Sequence, residues 1–398
     1  MRSGIGEDHG SRPTTEHELV HRPRLLCRST ELERAMAVAR GALQDGVGAS
    51  VLGLGAAGTG RSRLLAECSD RLQLEGVAIA FVHAVPGDGL DPIAGLGALA
   101  DAVLTGLPGV GGGDPAAIAT LASQRPTWAE RFQPTPGRQE FTLVDALHSV
   151  LRAAADEGPV AIAIDDLDRF HPDAIANVAG LARSLSDSPV IFLLSATTIG
   201  DGEGMSGFAR LIGRELPGMV LQIPAFDRQL ALALVEWVFP EWEGEAHQRL
   251  ARRLLAESGD SVFIALQLLE AMRSGLDLSE GRRWPSPERT FDTTIPGVPP
   301  LPLLMALRHT FHQLDPIAAK ALQLLAAGPE PFPEKEMAGF WFEETTLLAV
   351  LDRLERCRWI RSDGRGYQIA ARSVRRFLLE DTLTPGQRRR LESALHPA

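Results

Sequence analysis

Apolar residues recur at helical spacing over Leu25–Leu43, and a short apolar run, Ala49–Leu54, then enters a glycine-rich turn. The spacing predicts a first helix with Ser29 or Thr30 as N-cap, then a buried strand. Further along, Arg61–Leu74 reads as a helix, Val77–Val85 as a strand, Asp91–Leu107 as an Ala/Leu-rich helix and Gly109–Asp114 as a loop. The segment from there to Gly137 has weak periodicity, and Glu140–Ala155 is strongly amphipathic. Val160–Ile164 is a third strand and His171–Leu185 a helix. Val190–Ser195 and Val220–Ile223 complete five strands. Strands alternating with helices imply an α/β protein with a parallel sheet between helical layers.

After Pro224 the pattern changes to helices alone, Arg228–Met272. Ser279–Pro302, rich in Pro, Arg and Ser, reads as a linker. The remainder is helical except for Trp359–Arg361, Asp363-Gly364-Arg365-Gly366 and Tyr367–Ala370, which read as strand, turn, strand. The expected organisation is a flexible tail over 1–23, an α/β core over 24–225 and helices over 226–278. A linker over 279–302 and a small helical domain with a hairpin over 303–398 follow.

The 398 residues suggest two or three domains. No apolar run approaches the ~20 residues of a bilayer-spanning helix, and the polar N-terminus lacks the pattern of a signal peptide. Cys27, Cys68 and Cys357 form neither a disulfide framework nor a zinc spacing, which fits a reduced, cytoplasmic setting. A net charge of −11 opposes a surface that coats nucleic acid. Lys320 and Lys335 are the only lysines; with a single Asn and a single Tyr, this points to a GC-rich bacterial genome.

Gly55-Ala56-Ala57-Gly58-Thr59-Gly60-Arg61-Ser62 fits the phosphate-loop pattern G-x-x-x-x-G-K-[ST] except that Arg61 replaces the lysine. Gly55, Gly58, Thr59 and Gly60 would let successive N–H groups face a phosphate, and the helix after them aims its N-terminus at the same anion. Arg61 would neutralise phosphate and Ser62 would offer its hydroxyl to Mg²⁺. Arginine is larger and planar, so it does not simply substitute for a compact ammonium. Val160–Ile164 delivers Asp165 and Asp166, with Asp165 on the metal side and Asp166 as the candidate base that orients an attacking water. The competing reading is that Asp166 and Asp168 merely cap the helix near Pro172. Thr197 and Thr198 are candidate γ-phosphate sensors, or else strand-end threonines facing solvent.

Leu25-Leu26-Cys27-Arg28-Ser29-Thr30-Glu31-Leu32 resembles the L-V-G-R-x-x-E-L box that opens many AAA-type signalling ATPases. With the phosphate loop, Asp165-Asp166-Leu167 and the helical C-terminal part, the order resembles the STAND class of P-loop NTPases over about residues 24–390. The resemblance implies a five-stranded parallel core, a helical lid and a C-terminal winged helix. It implies ATP or ADP with Mg²⁺ as cofactors, Arg28 among the nucleotide-binding residues, and a nucleotide-driven switch to an open or oligomeric form. The sequence departs at Arg61, at Arg169 in place of an aromatic, at Thr197-Thr198 without a following arginine, and at Gly259-Asp260-Ser261 in place of Gly-Asn-Pro. These departures weigh against fast hydrolysis. Arg210 and Arg214 are either an arginine finger or solvated surface groups.

In the C-terminal part, Arg353, Arg356, Arg358, Arg361 and Arg365 alternate with Asp352, Glu355 and Asp363. The interleaved acids weigh against DNA reading, and the resemblance to STAND proteins implies an internal clamp, with protein docking as the other reading. The expected function is a nucleotide-dependent switch or assembly module for a partner protein that carries the sensor or effector, with a nucleotide-dependent homo-oligomer also open. The alternatives are a silent scaffold and a DNA-acting ATPase. No hydrolase or metalloenzyme motif accompanies these features.

Overall fold

A computed structural model describes residues 25–56, 58–130, 132, 141–197, 203–242, 244–259, 261–273, 300–340 and 344–395. The chain divides into two units. One comprises Arg28–Ala56 with Gly60–Ile223; the other comprises Met1–Cys27, Ala57–Thr59 and Pro224–Ala398.

The first unit is built on five parallel strands, β1 (Ala49–Gly55), β2 (Ala78–His83), β3 (Val160–Asp165), β4 (Val190–Thr197) and β5 (Gly218–Gln222), in the order β2-β3-β4-β1-β5. The register places Gly53 opposite Ser195 and Ile164 opposite Leu194. β3 is buried at every position and β4 at all but its last. This is why the two read as continuous apolar runs rather than alternating ones.

Helices α1 (Ser29–Asp45), α2 (Arg61–Leu74), α3 (Ala94–Gly106), α4 (Pro115–Ala122), α5 (Leu143–Glu157), α6 (Pro172–Ser184) and α7 (Glu203–Leu211) cover the sheet. Side chains alternate across a strand. Leu52, Ile162 and Phe192 are accordingly buried with Leu99, Leu147 and Val178 of α3, α5 and α6. Val51, Leu193 and Leu221, of opposite parity, line a small gap with Ala35 of α1 and Leu64 and Cys68 of α2. The start of α5 is set by Thr142, whose hydroxyl accepts the Asp145 N–H at 3.1 Å. This is why the helix begins later than the periodicity from Glu140 suggests.

The second unit contains α8 (Arg228–Val238), α9 (Gly244–Ser258), α10 (Val262–Arg273), α11 (Leu301–His312), α12 (Pro316–Ala327), α13 (Glu334–Ala338), α14 (Glu344–Arg356), α15 (Arg372–Asp381) and α16 (Pro385–Leu395). Between α14 and α15 lies an antiparallel hairpin, β6 (Ile360–Ser362) and β7 (Tyr367–Ile369). Leu254 and Leu268 share one core with Leu322, Leu351 and Phe377. The Ser373 hydroxyl donates to the Glu257 carbonyl. The helices expected as a separate lid are therefore packed into the same unit as the C-terminal helices. α11 begins at Leu301, inside the segment expected to be linker; residues 274–299 lie outside the described residues. Among the described residues no helix is long and apolar enough to cross a membrane.

Candidate phosphate-loop site

β1 runs to Gly55, and α2 starts at Arg61 with Gly60 as its N-cap. Gly60 takes φ +92°, a left-handed angle that a residue with a Cβ adopts only under strain. The chain can thereby leave the strand and enter the helix in a single turn. The Leu64 N–H closes the first helical bond on Gly60 O at 3.0 Å. Ser62 in that first turn is exposed, whereas Arg61 is buried. Gly58 and Thr59 group with the C-terminal unit, where Gly58 O accepts the Val262 N–H at 2.7 Å. Gly58 also has a left-handed φ of +76°, and a Cβ there would lie 2.5 Å from Ser261 Oγ.

Arg61 is turned onto the acidic pair at the end of β3. Its Nη2 donates to Asp166 Oδ1 at 2.8 Å, with side chains only 8% and 19% exposed. Arg61 Nη1 is buried and has no hydrogen-bond partner among the described residues. A buried donor left unmatched costs about 1–3 kcal/mol, so an acceptor at this point would be stabilising. The other Asp166 oxygen is engaged as well, by Arg169 Nη2 at 3.1 Å. Asp166 has φ +56°, a left-handed angle that aspartate tolerates better than most residues. Burial pushes its carboxyl above the usual aspartate range, against the opposing pull of Arg61.

Asp165 is buried and held from two sides. Ser195 Oγ donates to its Oδ1 at 2.5 Å, and His83 Nδ1 lies 3.4 Å from its Oδ2. The same Ser195 oxygen accepts the Asp166 N–H at 2.9 Å. One hydroxyl on β4 thus fixes both acidic residues. Ser195 was not among the residues expected to matter. Its signal in the sequence is a lone hydroxyl inside the apolar run of β4, where a buried polar group requires partners.

Asp168 Oδ1 accepts the Thr197 N–H at 3.1 Å, and the Thr197 hydroxyl donates to Oδ2. The Thr197 hydroxyl is thus paired with Asp168 rather than simply facing solvent. Thr198 lies outside the described residues. The α6 cap is His171, whose Nδ1 accepts the Asp173 N–H at 3.3 Å, so neither Asp166 nor Asp168 caps that helix. Arg28 is buried immediately before α1. Arg210 and Arg214 are exposed, and Arg210 Nε donates to its own helix at Ser206 O. The structure thus brings together Gly60, Arg61, Asp165 and Asp166, with Ser195 linking the last two.

Residues 24–193 match the sequence profile of an AAA ATPase domain. The fold is similar to that of the Walker-type ATPase PABY2304 of Pyrococcus abyssi, at 16% identity and TM-score 0.53, covering 90% of this chain and 97% of that one. It is also similar to the Aeropyrum pernix ORC2 protein, described in ADPNP–ADP complexes, at 13% identity and TM-score 0.51, covering 95% of this chain and 98% of that one. No curated protein matches the chain in sequence. Residues 24–193, which make up most of the α/β unit, are thus similar to an AAA ATPase domain, with arginine where the phosphate-loop pattern has lysine.

Proposed function

We propose that the chain is a STAND-like nucleotide-dependent switch or assembly module that binds ATP or ADP with Mg²⁺ and hydrolyses slowly or not at all. The observation that carries this reading is the Arg61–Asp166 pair. The cation meant for phosphate and the carboxylate meant to orient water occupy each other.

The residues present fit a nucleotide phosphate. Gly60 makes the tight turn into α2, Ser62 is exposed in the first helical turn, and Arg61 carries a buried N–H without a partner among the described residues. In this reading Gly55, Gly58, Thr59 and Gly60 cradle phosphate and Arg28 completes the binding set. Bound ATP–Mg²⁺ supplies the phosphoanhydride to be cleaved and a polyanion for Arg61. Ser62 and Asp165 would hold the metal, Asp165 through its water shell, since Mg²⁺ keeps several waters and takes few protein ligands. Asp165 is kept in place by Ser195. Asp166 can act as a base only when released from both guanidiniums, with Thr198 as the remaining candidate to orient the water. The raised affinity of Asp166 for a proton suits a base, but its pairing withholds it.

The C-terminal helices and hairpin fit an internal clamp or protein-docking module of winged-helix type. Arg353 pairs with Asp315 and Arg365 with Asp363, so much of the charge that DNA would require is already compensated. A partner protein would carry the sensor or effector function. The same Arg61–Asp166 pair favours a second reading, a silent scaffold.

Thermal unfolding with ADP, ATP or GTP plus Mg²⁺ tests this. Ligand at 100 times Kd should stabilise by about 2.7 kcal/mol. A melting temperature unmoved by millimolar nucleotide leaves the scaffold reading.

A further inference from the structure

A cavity of about 400 Å³ lies in the C-terminal unit, lined by Lys320, Gln323, Leu383, Gln387, Arg390 and Leu391. Lys320 and Gln323 are three apart on α12; Gln387, Arg390 and Leu391 are three and four apart on α16. Each group therefore projects from a single face of its helix. Leu383 and Leu391 are buried and form an apolar floor.

The cavity places two cations, Lys320 and Arg390, at one concave site. Among the described residues no carboxylate lines the cavity. Several arginines elsewhere in this unit are paired: Arg308 with Asp381, Arg353 with Asp315, Arg365 with Asp363, Arg375 with Glu330 and Arg388 with Glu392. Among the described residues Lys320 and Arg390 have no such partner, although they share one cavity in a chain of net charge −11. Two like charges at one concave site repel, and low-dielectric walls sharpen the field they create there. An anion relieves that repulsion. The amides have distinct roles. Gln387 Oε1 accepts from the Thr384 N–H and hydroxyl, both at 2.9 Å, which leaves its NH₂ as a donor. Gln323 is anchored through its own NH₂ to Thr382 O and Oγ1, both at 3.2 Å.

We infer that this cavity binds a small amphipathic organic anion, its carboxylate or phosphate head between Lys320 and Arg390 and its apolar body on Leu383 and Leu391. The volume falls in the range of roughly 300–1,000 Å³ typical of small-molecule sites. The inference does not depend on the phosphate loop. A module of this kind would then receive a chemical signal in its C-terminal unit, apart from any nucleotide.

Calorimetric titration of the full chain with octanoate and with octyl phosphate tests it, the two probes distinguishing the head group. Saturable binding of one molecule per chain is expected for at least one probe, with no binding of octylamine. Lys320→Ala and Arg390→Ala should each weaken it by about tenfold, equivalent to about 1.4 kcal/mol. Arg388→Ala, removing a cation already paired with Glu392, should leave it unchanged. Both target side chains are exposed, so the variants are expected to fold, and their melting curves verify it. Absence of binding for both probes, or binding undiminished in the Lys320→Ala/Arg390→Ala double variant, would overturn the inference.

Discussion

If Arg61 is withheld from phosphate by Asp166, neutralising Asp166 must strengthen nucleotide binding, and must do so through Arg61. Asp166→Asn is the appropriate perturbation, because asparagine tolerates the left-handed backbone at this position (φ +56°) where alanine would add strain. The magnitude follows from the geometry. The Nη2–Oδ1 contact is 2.8 Å between groups 8% and 19% exposed, so solvent screens it little. A hydrogen bond to a charged group contributes about 1.5–3 kcal/mol net. Arg61 forfeits that amount in leaving Asp166, which lowers nucleotide affinity by roughly 10- to 150-fold. Fluorescence titration with a labelled ADP should therefore show Asp166→Asn binding at least about tenfold tighter than the natural chain. Removing a negative charge near phosphate would also tighten binding without any latch, so a double-mutant cycle is needed. In an Arg61→Met background the same Asp166→Asn change should alter affinity by less than about threefold. An equal gain in both backgrounds refutes the latch and leaves simple charge removal. Failure of all four proteins to bind nucleotide refutes the switch itself.

Asp315 caps α12 by accepting the Ile317 and Ala318 N–H groups at 2.9 and 2.8 Å, so Asp315→Ala should lower stability by about 1 kcal/mol in a denaturant melt, with Asn recovering most of it. Those backbone donors, with Arg353, hold the Asp315 carboxyl below its usual range. The charged form's contribution is accordingly present above pH ~4 and lost as pH falls through the folded value, and the Asp–Asn stability difference should shrink over that window. Burial pushes the Cys68 thiol up to about 12, whereas Cys27 and Cys357 are exposed. A thiol reagent at pH 8 should label two cysteines in the native chain and the third only on unfolding. Random duplex DNA should bind weakly at 50 mM salt and negligibly at 200 mM; submicromolar affinity at the higher salt would favour the DNA-acting alternative.

The α/β unit was largely legible in the sequence because strand and helix alternate with their own periods, and a strand such as Val160–Asp165 is buried along its whole length. The phosphate-loop spacing was legible because it is local. What escaped the sequence was long-range. Arg61 and Asp166 are 105 residues apart, and no spacing rule indicates that one side chain turns to the other. Ser195 was hidden inside an apolar strand, where its hydroxyl gains meaning only once β3 lies beside β4. The union of α8–α10 with the C-terminal helices depends on contacts such as Ser373 to Glu257, 116 residues apart. The Pro- and Arg-rich segment between them reads instead as a boundary.

The strand order has a mechanical consequence. β4 sits between β1 and β3, so these two strands share no hydrogen bonds and run about 9.5 Å apart. Arg61, in the first turn after β1, reaches Asp166, just beyond β3. The pair is a cross-brace over the C-terminal end of β4, joining strands that the ladder leaves independent. When Arg61 turns away, only the hydrogen bonds of β4 to its two neighbours hold that edge of the sheet. Amides near Ser195 would then exchange with solvent faster, and the stiffness of the sheet itself would register which way a single arginine is facing.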